Sequence, residues 1–167
     1  MLETVFMLVL IVNVGALAAW LSVGAFENVV HPYLNETYTG EVMDMLRMRE
    51  DYPDAYRHVA YRRVRSPRVR KLLFRFIVAW EVTATLLLWA GTACLVMAAL
   101  GTLAIDTALA MAMLGVLAFT ATWCGFLVVG NWFCYWFGHE GGQNTHFQMT
   151  LWGLANMLML MATALAI

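Results

Sequence analysis

All ten Lys and Arg residues of this chain lie between Arg47 and Arg75, and most of its other residues form long apolar runs. A hydrophobic share of 62%, a charged share of 13% and a mean hydropathy of +0.70 are far from the balance of a soluble domain. The solvent such a chain is built for is lipid. A bilayer core of roughly 30 Å asks for about 20 mainly apolar residues per spanning helix. Four stretches qualify: Val5–Phe26, Leu72–Ala99, Leu103–Phe137 and Phe147–Ala166.

Basic loops stay on the cytoplasmic side during insertion, so the segregated charge also predicts orientation. The segment 27–71 is expected inside, the N-terminus outside, and the rest follows by alternation. The turn at Leu100-Gly101-Thr102 is expected outside, Gly138–Thr145 inside, and the fourth span ends outside at Ile167. The leader Met1-Leu2-Glu3-Thr4 is acidic and its apolar run is too long for a signal core, so the first span is expected to be retained despite Ala16-Leu17-Ala18. Cys94, Cys124 and Cys134 form no CxxC pair and read as packing residues.

The third apolar run, Thr107–Phe137, would be about 46 Å long as one helix and should protrude from the bilayer. Its end, Trp132-Phe133-Cys134-Tyr135-Trp136-Phe137, suits an interfacial belt, or else a wall for a flat ligand. Gly141-Gly142 is expected to stop the helix, and Thr145 with Gln148 to box the start of the last span. In the 27–71 loop, three start signals predict short amphipathic helices: Thr39 as a cap, Pro53, and Ser66 before Pro67. Arg62, Arg63, Arg65, Arg68, Arg70 and Lys71 should meet anionic lipid, each gaining about 1 kcal/mol. Nothing beyond that charge suggests nucleic acid.

Glu81 is the one ionisable group well inside a span, and a carboxyl there must be paired, protonated or watered. Counting inward from the same side, Asn131 and Asn156 reach similar depth. A polar cluster of Glu81, Asn131 and Asn156 is therefore expected, with His139 and His146 at its mouth. Glu81 reads either as hydrogen-bonded packing glue or as the working group of proton transfer, ion passage or ligand binding. No metal site is expected, because the spacing of Cys134, His139 and His146 matches no strong zinc motif. No cofactor is expected either; haem would need facing histidines within the spans, and a quinone beside Trp80 and Trp132 is the other option considered.

The run Asn131–Thr150, together with Glu27-Asn28, Asn35-Glu36-Thr37-Tyr38-Thr39 and Ala79-Trp80-Glu81, resembles a bacterial family of predicted small integral membrane proteins of unknown function. That resemblance implies a bacterial inner-membrane protein of about this size. It supplies no activity, cofactor or catalytic residue.

The expected fold is all-α: a single membrane domain, an integral four-helix bundle with a cytoplasmic loop subdomain of short amphipathic helices. Gly15 and Ala19 are candidates for close helix contact. With no nucleotide loop and no nucleophile paired with a base, the reading leans away from an enzyme. It favours an accessory or structural subunit that meets lipid and either other membrane subunits or copies of itself. The alternative is a small transport or redox protein working through Glu81.

Overall fold

The computed structural model describes residues 1–166 as an all-α chain. The expected end of the last span at Ile167 lies outside the described residues. In chain order the helices are α1 (Leu2–Val30), α2 (Pro32–Met43), α3 (Leu46–Asp51), α4 (Pro53–Val59), α5 (Pro67–Ala99), α6 (Ile105–Trp132) and α7 (Glu140–Ala166). A 3-10 turn, Ala60–Arg62, follows α4. Of these, α1, α5, α6 and α7 are long and apolar enough to cross a membrane.

Each proline of the chain opens a helix: Pro32, Pro53 and Pro67 stand at the first positions of α2, α4 and α5. There the missing N–H costs nothing, because the first turn has no acceptor for it, and the ring presets a helical φ. Ser66 adds a cap to α5 by accepting from the Val69 amide at 3.4 Å. Thr39 does not cap. It lies within α2, which starts at Pro32 and ends where Met45 turns left-handed (φ 50°).

Span boundaries differ from expectation most at the end of the bundle that carries the basic loop, where α1 runs on to Val30 and α5 starts at Pro67. Helix α6 stops at Trp132 instead of running on to Phe137. Cys134 takes a left-handed conformation (φ 53°), its amide reaches Asn131 O at 3.1 Å, and the Tyr135 amide reaches Gly130 O at 3.0 Å. Those paired bonds close the helix end in the manner of a Schellman motif and turn the chain back. The aromatic segment therefore folds inward, burying Phe133, Cys134 and Tyr135, and does not extend as an interfacial helix. Helix α7 begins at Glu140 and passes through Gly141 and Gly142, so Thr145 sits inside it and donates to Gly141 O at 3.0 Å. The longest span is α5, about 50 Å from its 33 residues.

The long helices pack as antiparallel neighbours, with α5 between α1 and α6 and α7 against α6. Closest approach falls at α5 and α6. A Cβ on Gly91 would lie 2.7 Å from Ala112 Cα, and one on Gly115 would lie 2.8 Å from Leu88 Cα. In lipid, where both partners are equally apolar, such close van der Waals contact is what holds helices together. Gly15 is not such a point: its nearest neighbour would be Thr92 Cγ2 at an ordinary 3.5 Å, and Ala19 is exposed. Leu17, Leu88, Val116, Phe119 and Leu160 form the sealed centre. Val12, Leu86, Val128 and Leu158 lie on the outer surface, as lipid contact requires.

Candidate functional site

Extension of α1 to Val30 carries Asn28 level with Glu81 on the neighbouring α5. The Asn28 Nδ2 donates to Glu81 Oε2 at 2.7 Å. After the break at His31, α2 folds across the helix ends, and Asn35 Nδ2 donates to Asn28 Oδ1 at 2.6 Å. Glu81 is 6% exposed and Asn28 8%, so this amide-amide-carboxyl chain is an interior feature. A buried carboxyl with an oriented donor is far cheaper than a bare one.

The partners expected from depth are not the partners found. Asn131 is exposed at the end of α6, and Asn156 is buried elsewhere, with its Nδ2 donating to Trp152 O of its own helix at 3.0 Å. Depth along a helix sets height but leaves the azimuth free, and each residue turns the side chain by about 100°. A first span ending at Phe26 leaves Asn28 in the loop that follows, whereas the four further residues of α1 bring it into the bundle.

Glu81 borders a cavity of about 280 Å³ at the end of the bundle that carries the basic loop. Helix α1 contributes Trp20, Leu21, Gly24 and Asn28; α2 contributes Asn35, Tyr38, Thr39, Val42 and Met43. Phe74 and Ile77 accompany Glu81 on α5, Trp123 and Phe126 line the α6 side, and Phe133, Tyr135 and His146 complete the wall. Trp80 and Trp132, the rings expected beside a flat ligand, are not in this wall. The Trp80 Nε1 instead donates to Thr122 Oγ1 at 2.9 Å, and Trp132 lies under Arg62.

The early start of α7 puts His146 into the wall, where its ring lies 5.9 Å from Tyr135 at 19° and 5.0 Å from Phe126 at 39°. His139, expected beside it, is separate: its ring meets Tyr38 edge-on at 4.8 Å, outside the cavity. Burial lowers the His139 pKa, which keeps the ring neutral. Burial and then the neighbouring Tyr38 push the Tyr135 hydroxyl up to about 12. Among the described residues the Trp123 Nε1, Tyr135 hydroxyl and His146 Nδ1 have no hydrogen-bond partner, but they also have essentially no accessible surface, so they lie behind the cavity face.

The six basic residues expected at lipid divide into two groups. Arg62 places its guanidinium 4.9 Å from the Trp132 ring and donates to Trp132 O at 3.3 Å, capping the negative end of α6. Arg63 and Arg70 both donate to Asp44, which also attracts Arg49 at 3.4 Å. Burial raises the Asp44 carboxyl, but the Arg63 hydrogen bond and the charges of Arg70, Arg63 and Arg49 outweigh it and hold it below the usual range. Lys71 sits 3.6 Å from Glu36 at the surface. Among the described residues Arg65 and Arg68 are exposed and have no acidic partner within 4.0 Å.

Chemically, among the described residues the cavity offers one carboxyl, two amides, hydroxyls, an imidazole and many aromatic rings, and no Lys or Arg lines it. Such a lining holds and orients a small molecule with a polar part and an apolar remainder. A family model described as "Predicted small integral membrane protein (DUF2165)" matches residues 6–163, and the chain belongs to that family. No curated protein and no solved structure matches it.

Proposed function

We propose that this small integral membrane protein binds a small amphipathic molecule in the cavity beside Glu81, as a carrier or binding protein of the bacterial inner membrane. The observation that carries the reading is the Asn35–Asn28–Glu81 hydrogen-bond chain at the edge of an aromatic-walled space. A carboxyl used only as packing glue would be surrounded by helix, whereas this one borders room for a ligand. Gentle extraction followed by mass spectrometry of co-purifying small molecules tests it. Gly24 lines the space and a Cβ there meets nothing within 4 Å, so Gly24→Phe fills the cavity without a backbone clash. A small molecule bound to the native protein and missing from Gly24→Phe is the expected result. Equal recovery from both would end the proposal.

In this reading the basic loop and the cavity mouth face the cytoplasm and the chain ends face the periplasm, by the positive-inside rule. A cysteine placed at Thr102 should react with an impermeant reagent in intact cells, and one at Arg65 should not.

An accessory subunit is the second reading, favoured by α7, the least covered of the four long helices. Leu151, Leu154, Leu158 and Met161 stand on its outer face. Stoichiometric companion polypeptides after gentle extraction are its expected sign, and a chain that always purifies alone is the result against it.

A further inference from the structure

We infer that the molecule received beside Glu81 is an organic cation, an ammonium with small apolar or aromatic substituents. This rests on the binding role proposed above and adds the charge of the ligand. Three observations converge on it.

First, among the described residues Glu81 is the only acid lining the cavity, and no Lys or Arg lines it. Its single identified side-chain partner is the neutral amide of Asn28. A carboxylate at this depth is stabilised most by a positive charge, and the protein supplies none there. An anionic ligand would add a second negative charge to the same poorly solvated space and is disfavoured for that reason.

Second, the walls are rich in aromatic rings. Trp20, Tyr38, Phe74, Trp123, Phe126 and Tyr135 all border the cavity. Aromatic faces carry negative quadrupole density, and cages of this composition are how proteins hold alkylated ammonium groups whose N–H donors are few or absent. Third, the unpartnered donors behind the wall, Trp123 Nε1 and the Tyr135 hydroxyl, are closed off from the space. The accessible lining therefore presents the Glu81 carboxyl, with aromatic rings and the neutral polar groups of Asn28, Asn35, Tyr38, Thr39 and His146 around it. The volume of about 280 Å³ suits a one-ring compound.

The test compares benzyltrimethylammonium with its neutral carbon isostere, neopentylbenzene, by equilibrium dialysis against the full-length protein in detergent. The native chain is expected to bind the cation and to prefer it over the isostere. Glu81→Gln keeps a side chain that Asn28 can hydrogen-bond, and it should weaken the cation by about thirtyfold or more, as loss of one partner of a buried charge pair does, with the isostere unchanged. Gly24→Phe should weaken both. Equal binding of cation and isostere, or a Glu81→Gln variant that retains cation affinity, overturns the charge assignment while the cavity remains a binding site. If neither probe binds and native and Gly24→Phe proteins extract with the same small molecules, the binding role itself falls.

Discussion

Asn28 and Glu81, 53 positions apart in the chain, share a 2.7 Å hydrogen bond that ties the end of α1 to the middle of α5. The same Asn28 receives Asn35 from α2, so one carboxyl fixes three helices at the cavity edge. Glu81→Leu would strand the Asn28 amide in a buried place and should lower stability by about 1–3 kcal/mol. Glu81→Gln restores an acceptor and should recover most of that loss. Thermal unfolding in detergent distinguishes them; equal, small effects of both would mean the bond contributes nothing.

Gly91 and Gly115 let the α5 and α6 backbones touch. Gly91→Ala and Gly115→Ala should each destabilise the protein by about 1–3 kcal/mol, because the obstacle is backbone and cannot swing aside. Gly15→Ala, which meets Thr92 Cγ2 at 3.5 Å, should be nearly neutral. A reversed order in unfolding measurements would refute the packing described.

Asp44 gathers Arg49, Arg63 and Arg70 and locks the α2–α3 turn to the start of α5. Because its folded pKa is below its unfolded value, the stability it adds is complete above the unfolded value of about 4 and is lost as pH falls through the folded value. Protease nicking of the loop should therefore increase on acidification. Asp44→Asn should show the same susceptibility already at neutral pH and lose the acid dependence.

The Tyr135 hydroxyl holds its proton up to about 12. Folding thus favours the protonated form, and the contribution is whole below the unfolded value of about 10 and declines as pH rises from there through about 12. Alkaline ultraviolet titration should find Tyr135 the last of six tyrosines to ionise, and Tyr135→Phe should delete that step. A single common transition near about 10 would contradict its burial.

Arg63 is bonded to Asp44, whereas Arg65, two positions on, is exposed and has no acidic partner among the described residues. Arg63→Gln breaks the Asp44 contact and should cost stability in plain detergent, about 1 kcal/mol or more. Arg65→Gln with Arg68→Gln should leave that stability within about 0.5 kcal/mol. The pair should instead reduce the stabilisation gained on adding phosphatidylglycerol, with single charges worth about 1 kcal/mol each. Identical behaviour of the two kinds of variant would erase the division.

Much of this protein was legible because the bilayer imposes a length and a polarity on any helix that crosses it. Four spans and the exceptional position of Glu81 follow from that constraint, and Pro53 and Pro67 mark helix starts through their missing N–H, whereas α2 starts at Pro32 and not at the expected cap Thr39. The boundaries near the basic loop were harder, because apolarity continues past the point where backbone hydrogen bonding ends α6. A left-handed Cys134 has no compositional signal, and Gly141-Gly142 reads as a stop although it lies inside α7.

Asn28, Asn35, Glu81, Tyr135 and His146 all lie in the stretches that carry the family resemblance, yet nothing in their order predicts one cavity. Residue chemistry and depth in the membrane are properties of the chain, set by transfer free energy along one axis. Which side chain faces which, and hence that Asn28 and not Asn131 holds Glu81, depends on helix rotation and on where α2 folds over the bundle. Only packing decides those, because lipid is indifferent to the direction in which an apolar helix turns.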